Sequence, residues 1–387
     1  MLPKWLRRTP LAWRQLLKEK TRLLVALAGI GFADMLMFVQ LGLLDSLLDS
    51  ATKPHQNLHA DLVLINPQFQ TLIDVKSFSR IRLQQALAVD GVASVRSLYT
   101  GNAQWRNPDT LLNRGIMVWG IDPVNPAFNF PEINPHLDQL KQLDRLVFDR
   151  ASRPEYGAIA ELVKQQGTLQ AQVNNRTVQT VGLFTLGASF GADGNIITSD
   201  STFFRLFPER QPDQIDVGLM NLEPKADVET VKAALQASLP NDVKVMTPQE
   251  FTQIEINYWE TGGTGFIFGQ GVVVGFIVGI VIVYQILYSD VSDHLPEYAT
   301  LKAMGYSDRY LLTVLMQEAL LLAALGFIPG FLLSLGLYQI TYMATLLPIA
   351  MKLERAAFVL LLTIIMCSVS GAIAMRKLQS ADPADVF

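Results

Sequence analysis

The sequence predicts an α-helical membrane protein with four transmembrane helices and a large α+β domain between the first and second. Three observations predict it. Half of the 387 residues are hydrophobic and only 17% are charged, whereas ordinary soluble domains carry roughly 25% charged residues. Four apolar runs, at 23–44, 263–288, 310–343 and 356–375, are each long enough to cross a hydrocarbon core of about 30 Å. Between the first two runs lie residues 45–262, a polar stretch long enough for one or two folded domains. Mean hydropathy is +0.26. The net charge of −4 argues against nucleic acid as a partner, and the single cysteine, Cys367, excludes an intrachain disulfide.

The chain opens on a basic, amphipathic segment. Residues 1–22 hold Lys4, Arg7, Arg8, Arg14, Lys18, Lys20 and Arg22 against one acid, Glu19, with Trp5, Leu6, Leu11, Trp13, Leu16 and Leu17 among them. That pattern predicts a helix lying on the membrane surface, on the cytoplasmic side by the positive-inside rule. The first span, 23–44, contains Asp34 near its centre. A carboxylate there costs roughly 2.5–3.5 kcal/mol on insertion scales, so it should face protein or water. A polar pin between helices is the plainer role for it, and a contact with cargo the sharper one.

In the inserted domain, Asp61–Ile65, Val92–Tyr99 and Gly115–Gly120 read as strands, and Phe78–Val89 has helical spacing. Leu146–Ile197 is rich in Gly, Thr and Val and reads as a β-rich insert. Val217–Leu222, Val228–Leu239 and Val243–Met246 read as strand, helix and strand, a second β-α-β set like the first. The expected domain is therefore a porter-like β-α-β module with a β-rich insert. Gln253–Trp259 reads as a helical stalk into the second span.

The second span repeats Gly271, Gly275 and Gly279 on one helical face, which allows a close helix approach, within the chain or between two copies. The polar segment 289–309 follows. In it Pro296 can open a helix, Glu297 suits the positive helix end, and Gly305 is a C-terminal stop. The third span and its extension, 310–343, hold a Pro329–Gly330 pair and one buried-looking acid, Glu318, read as a structural polar partner. A short loop, 344–355, leads to the fourth span, 356–375, and the tail 376–387 begins with Arg376 and Lys377. Four spans put both termini and 289–309 in the cytoplasm, and 45–262 and 344–355 outside.

Enzyme chemistry is thin. There is no Gly-x-x-x-x-Gly-Lys-Ser/Thr, so the chain has no P-loop for nucleotide phosphates. Gly187-Ala188-Ser189-Phe190-Gly191 fits the serine-hydrolase elbow, but turn residues follow where a helix is needed, and the later His294 lies across the membrane. His55 and His59 are four apart with no evident third ligand beyond Asp61, so no metal site is expected.

Glu297-Tyr298-Ala299-Thr300-Leu301-Lys302-Ala303-Met304-Gly305 resembles the cytoplasmic coupling segment of FtsX/MacB-type ABC permeases. Glu318-Ala319-Leu320-Leu321, Gly326, Pro329-Gly330 and the terminal Asp382-Pro383-Ala384 continue the likeness. Within that family, Leu11–Leu16, Arg22–Ile30 and Phe32-Ala33-Asp34 are similar to DevC-type permeases, membrane subunits of a heterocyst glycolipid exporter. The resemblance implies a non-enzymatic subunit of the bacterial inner membrane, with its large domain in the periplasm. ATP and Mg would belong to a separate ATPase docked on Glu297, Tyr298, Ala299, Leu301, Lys302, Ala303 and Gly305. It further implies a homodimer, a membrane fusion protein and a TolC-like outer-membrane duct as partners, and export of a glycolipid or other hydrophobic cargo by mechanotransmission. The alternative within the family is an FtsX-like regulatory permease that moves an outer partner without carrying cargo.

Overall fold

The computed structural model describes residues 20–297, 300 and 304–380. All but the last three residues of the expected surface helix 1–22 lie outside them. The chain divides into two compact units, Met1–Asp45 with Gly265–Thr341 and Ile349–Phe387, and Ser46–Thr264 with Tyr342–Pro348.

Helix α1 is Lys20–Gln56, longer than the expected span 23–44. The polar residues after Leu44 do not end it. Leu47, Leu48 and Ala51 keep helical spacing, the Thr52 hydroxyl donates to the Leu48 carbonyl at 2.8 Å, and no proline intervenes before Pro54.

The inserted unit begins with β1 (Leu62–Ile65), β2 (Phe78–Ser79), α2 (Ile81–Leu87) and β3 (Val92–Arg106). The expected helix 78–89 thus loses its start to β2, which pairs with β9 (Gln214–Ile215). The unit closes with β10 (Val217–Leu222), α6 (Val228–Ser238), β11 (Lys244–Met246) and α7 (Pro248–Thr261). Strands run in the order β11-β1-β10-β3, all antiparallel. Numbered along the module this is 4-1-3-2, a β-α-β-β-α-β unit split between its second and third strands. One face buries Leu62, Leu64, Met220 and Val245 under Leu83 and Ala86 of α2 and Val231 and Leu235 of α6. The other buries Val63, Ile65, Leu219 and Met246 against Phe69 and Phe251.

The insert holds β4 (Asn113–Ile121), α3 (Leu137–Leu140), β5 (Arg145–Asp149), α4 (Ile159–Gln166), β6 (Leu169–Val173), β7 (Arg176–Phe184), β8 (Asn195–Ser199) and α5 (Asp200–Leu206). The sheet continues β3-β4-β8-β5-β7-β6, and Trp105 and Arg106 of β3 pair back with Val173 and Gln172 of β6. Six strands therefore close on themselves, leaving few open edges. Trp105 and Phe148 fill the interior, with the indole N–H on the Tyr156 carbonyl at 3.2 Å. Helix α4 was not expected from the sequence, although Ile159 and Val163 bury one face of it.

Helix α7 covers the residues expected to be helical, Gln253–Trp259, and is extended to Pro248–Thr261 by a capping box between Thr247 and Glu250 with Pro248 in the first turn. Glu255 on it is 1% exposed. It accepts from the Thr71 hydroxyl (2.7 Å), the Leu72 N–H (3.0 Å) and the Trp259 indole (2.8 Å), and lies 3.7 Å from His55 Nε2. Burial pushes the Glu255 carboxyl up and the His55 imidazole down to about 3.

The membrane unit is completed by α8 (Gly263–Asp293), α9 (Asp308–Thr345) and α10 (Leu353–Ser380). With α1 these are four helices long and apolar enough to cross a membrane. Gly275, Gly279, Val283, Leu287 and Val291 bury one face of α8, while Val273, Ile277 and Val281 on another are each more than half exposed, as lipid-facing residues are. Gly271, Gly275 and Gly279 pack inside the chain. A methyl on Gly271 would meet Gln40, one on Gly275 would lie 3.2 Å from Met37, and one on Gly279 would overlap Met366 and lie 3.0 Å from Ala33.

Gly279→Ala should lower the thermal stability of the detergent-solubilised protein by about 1–3 kcal/mol, the usual cost of overpacking. Gly336→Ala, where a methyl has nothing within 4 Å, should leave it unchanged; equal melting of both variants would contradict the packing. His55 stays neutral when folded but takes a proton when unfolded below about 6.5. Its share of stability is therefore complete above 6.5 and lost as pH falls toward 3. His55→Phe should gain stability relative to the parent across that window in pH-dependent melts.

Candidate functional site: the polar segment 289–305 and the ties between helices

The last turn of α8 enters the polar segment. Asp290 is 6% exposed and receives Arg22 of α1 at 3.2 Å, and Arg22 also bonds Asp293. His294 Nδ1 lies 3.5 Å from the Asp290 carboxylate and 3.1 Å from the Asp290 carbonyl. The segment is thus anchored to the first helix through groups that sequence reading treated only as a basic flank and a polar loop.

Helix re-forms at Leu295–Glu297. Glu297 is exposed, the Thr300 hydroxyl donates to the Pro296 carbonyl at 2.8 Å, and the Met304 N–H donates to the Thr300 carbonyl at 3.0 Å. Gly305 has φ +92°, the left-handed conformation expected of a glycine that stops a helix. Met304 and Tyr306 are 64% and 46% exposed. Tyr298, Ala299, Leu301, Lys302 and Ala303 lie outside the described residues.

Deeper in the unit, Asp34 is fully buried, and its Oδ1 accepts the Thr363 hydroxyl of α10 at 2.7 Å. Its Cβ lies where a side chain on Gly330 would have to go, and Gly31, one turn earlier, faces Pro329 and Gly330. Asp34 therefore pins α1 to α10 beside a close approach of α1 and α9. Glu318 is 2% exposed on α9. Near the other end of the helices, Arg355 opens α10 and sends Nε (3.1 Å) and Nη2 to Asp45 Oδ2, and Nη1 to the Tyr338 hydroxyl at 2.9 Å and the Ala350 carbonyl at 3.0 Å. The Tyr338 hydroxyl in turn donates to the Phe38 carbonyl, its ring lying over Gly42. The sequence showed Arg355 only as a loop charge. The apolar residues that follow it were the signal that it lies in the first turn of a helix instead.

The remaining candidates are structural. The Ser189 Oγ accepts the N–H groups of Gly191 (3.2 Å) and Ala192 (3.0 Å), and the loop runs into strand β8 rather than a helix. Among the described residues no group of three His, Cys, Asp or Glu is placed to hold a metal.

Residues 271–383 match the FtsX-like permease C-terminal family. Over 386 residues the chain is 24% identical to an uncharacterized ABC transporter permease of Mycobacterium bovis and to two of Mycobacterium tuberculosis, covering 97% of this chain and 98% of each relative. Among solved structures it is similar to the periplasmic region of MacB from Actinobacillus actinomycetemcomitans (10% identity, 51% of this chain and 94% of that one, TM-score 0.35). It is also similar to the extracellular domain of the noncanonic ABC-type transporter YknZ from Gram-positive bacteria (13% identity, 49% and 99%, TM-score 0.33).

Arg355→Ala should destabilise the membrane unit by about 2–3 kcal/mol, below the full cost of breaking a buried pair because a third of the Asp45 side chain is exposed. Arg355→Lys should recover only part of it, since an ammonium cannot reach Asp45, Tyr338 and Ala350 together. Melting of the purified variants checks both.

Proposed function

We propose that this chain is the membrane subunit of an ATP-driven ABC exporter that works by mechanotransmission. The observation that carries the reading is the FtsX-like permease match over 271–383, the region of α8–α10 and the polar segment. The full-length likeness to ABC transporter permeases supports it.

In this reading two copies pair in the bacterial inner membrane, and a separate ATPase, which brings the ATP and Mg, docks on Glu297–Gly305 in the cytoplasm. Nucleotide binding closes the ATPase pair and moves the segment. Because Arg22 holds Asp290 and Asp293, that displacement is passed at once to α1. The inserted domain lies in the periplasm and drives a membrane fusion protein and a TolC-like duct, and the cargo is a glycolipid, as for DevC-type permeases, or another hydrophobic molecule. Such coupling requires that the nucleotide-bound state favour one conformation over the other. The FtsX-like character of the matched region also suits a second reading, a regulatory permease that activates an extracytoplasmic partner without transport. Co-purification of a fusion protein rather than a cell-wall hydrolase separates the two.

Glu297→Lys reverses an exposed charge, and Gly305→Pro cannot adopt φ +92°. In vesicles holding the chain and its ATPase, both variants should insert normally and lose the stimulation of ATP hydrolysis. Stimulation and export equal to the parent in both would contradict the docking assignment.

A further inference from the structure

Along the last turns of α7 lies a groove of about 450 Å³, within the range of about 300–1,000 Å³ that small-molecule sites occupy. Its walls are Phe69, Ile254, Tyr258 and Trp259, and its polar edge is Gln70, Asn257 and Thr261. No Asp, Glu, Lys or Arg is among the described residues that line it. One buried group holds the two sides together. Glu255, 1% exposed, takes the Thr71 hydroxyl and the Leu72 N–H, next to Phe69 and Gln70 in the chain, and the Trp259 indole on the helix. All three bonds of a costly buried carboxylate thus fix the loop side against the aromatic side. Trp259 is held by its N–H, and the Tyr258 ring stands at 88° to it, 5.4 Å away, so the two rings form a corner. Asn257 Oδ1 accepts from Gln253 Nε2 at 2.8 Å, which leaves its NH2 as the end that donates.

We infer that this groove binds the sugar headgroup of an uncharged glycolipid. A pyranose ring has an apolar face of C–H groups, which suits an aromatic plane, and an edge of hydroxyls, which suits amides and a threonine. The uncharged lining selects against a phosphate or carboxylate head, which would lose its water with no cation to replace it. A bare acyl chain would leave the polar edge unused. The ligand is membrane-borne, because the chain enters its second apolar run at Phe266, two residues after Thr264 at the end of the groove. The assignment rests on the lining alone. Under the exporter reading the bound lipid is cargo, but the binding test needs neither ATPase nor transport, so its failure would leave that reading standing.

The full chain is reconstituted in phosphatidylcholine bilayers carrying equal amounts of monoglucosyl diacylglycerol and phosphatidylglycerol, extracted in a sugar-free polyoxyethylene detergent and weighed by native mass spectrometry. One glucosyl lipid should remain bound per chain in preference to both phospholipids. Asn257→Ala, which removes one hydrogen bond, should cut its retention about fivefold. Tyr258→Ala, which removes one plane of the corner, should cut it about tenfold. Both side chains are exposed, so the melting temperature in detergent should not change. Retention of either phospholipid equal to that of the glucosyl lipid overturns the proposal; for phosphatidylcholine it is what rings that only sit at the membrane surface, or that cage a choline, produce. So does glucosyl-lipid retention unchanged by either variant, the outcome expected if a second copy covers the groove. If Tyr258→Ala does not fold, the Asn257→Ala comparison decides alone.

Discussion

The membrane unit depends on how closely the other helices can approach α1. Side chains are missing where they would collide with it: Gly271, Gly275 and Gly279 on α8 meet Gln40, Met37 and Ala33, and Gly326 and Gly330 on α9 meet Ile30 and Asp34. In lipid there is little hydrophobic drive for helices to associate, so close van der Waals approach and interhelical hydrogen bonds must hold them. The glycines supply the first and create the geometry for the second. Only because Gly330 yields its space can Asp34 sit fully buried and reach Thr363.

Polar ties then occur at three levels along α1: Arg22 to Asp290 and Asp293, Asp34 to Thr363, and Asp45 to Arg355. Each joins α1 to a different helix or a different part of one. A unit pinned at three heights does not readily shear at one of them, which suits a part that moves as a body. The ties also explain why acids and bases appear in spans at all. Each is expensive in hydrocarbon and is present where another helix supplies a hydrogen bond or an opposite charge.

Much of this was legible in the sequence because the dominant signals are local. Apolar run length marks the four helices, and period-two and helical spacing mark Val217–Leu222 and Val228–Ser238. What was not legible depends on partners far away in the chain. The polar residues Asp45–Gln56 looked like the end of a span, yet they continue α1. The closure of six strands rests on two residue pairs, Trp105–Val173 and Arg106–Gln172, that no local pattern announces. The glycine repeat on α8 was evident, but a repeat of small residues says only that something approaches closely. The structure supplies Met37, Gln40 and Met366 of the same chain as what approaches. Asp34 and Glu318 stood out as acids in apolar runs; Thr363 did not, because a threonine is unremarkable in a helix. Of the polar segment, Glu297 and Gly305 were readable from capping rules, and the exposure of Met304 and Tyr306 was not.

In the proposed mechanism, movement at the polar segment arrives in the inserted domain. Leu112 is 70% exposed in that domain, and Cys367, the sole native cysteine, is buried. A spin label on Leu112→Cys therefore reports, by pulsed electron resonance, the separation of the domains in the proposed pair of copies. With the partner ATPase present, the account predicts one distance distribution without nucleotide and a shifted one with a non-hydrolysable ATP analogue, the shift disappearing in Glu297→Lys. A distribution indifferent to nucleotide, in a complex that still binds the analogue, would contradict it.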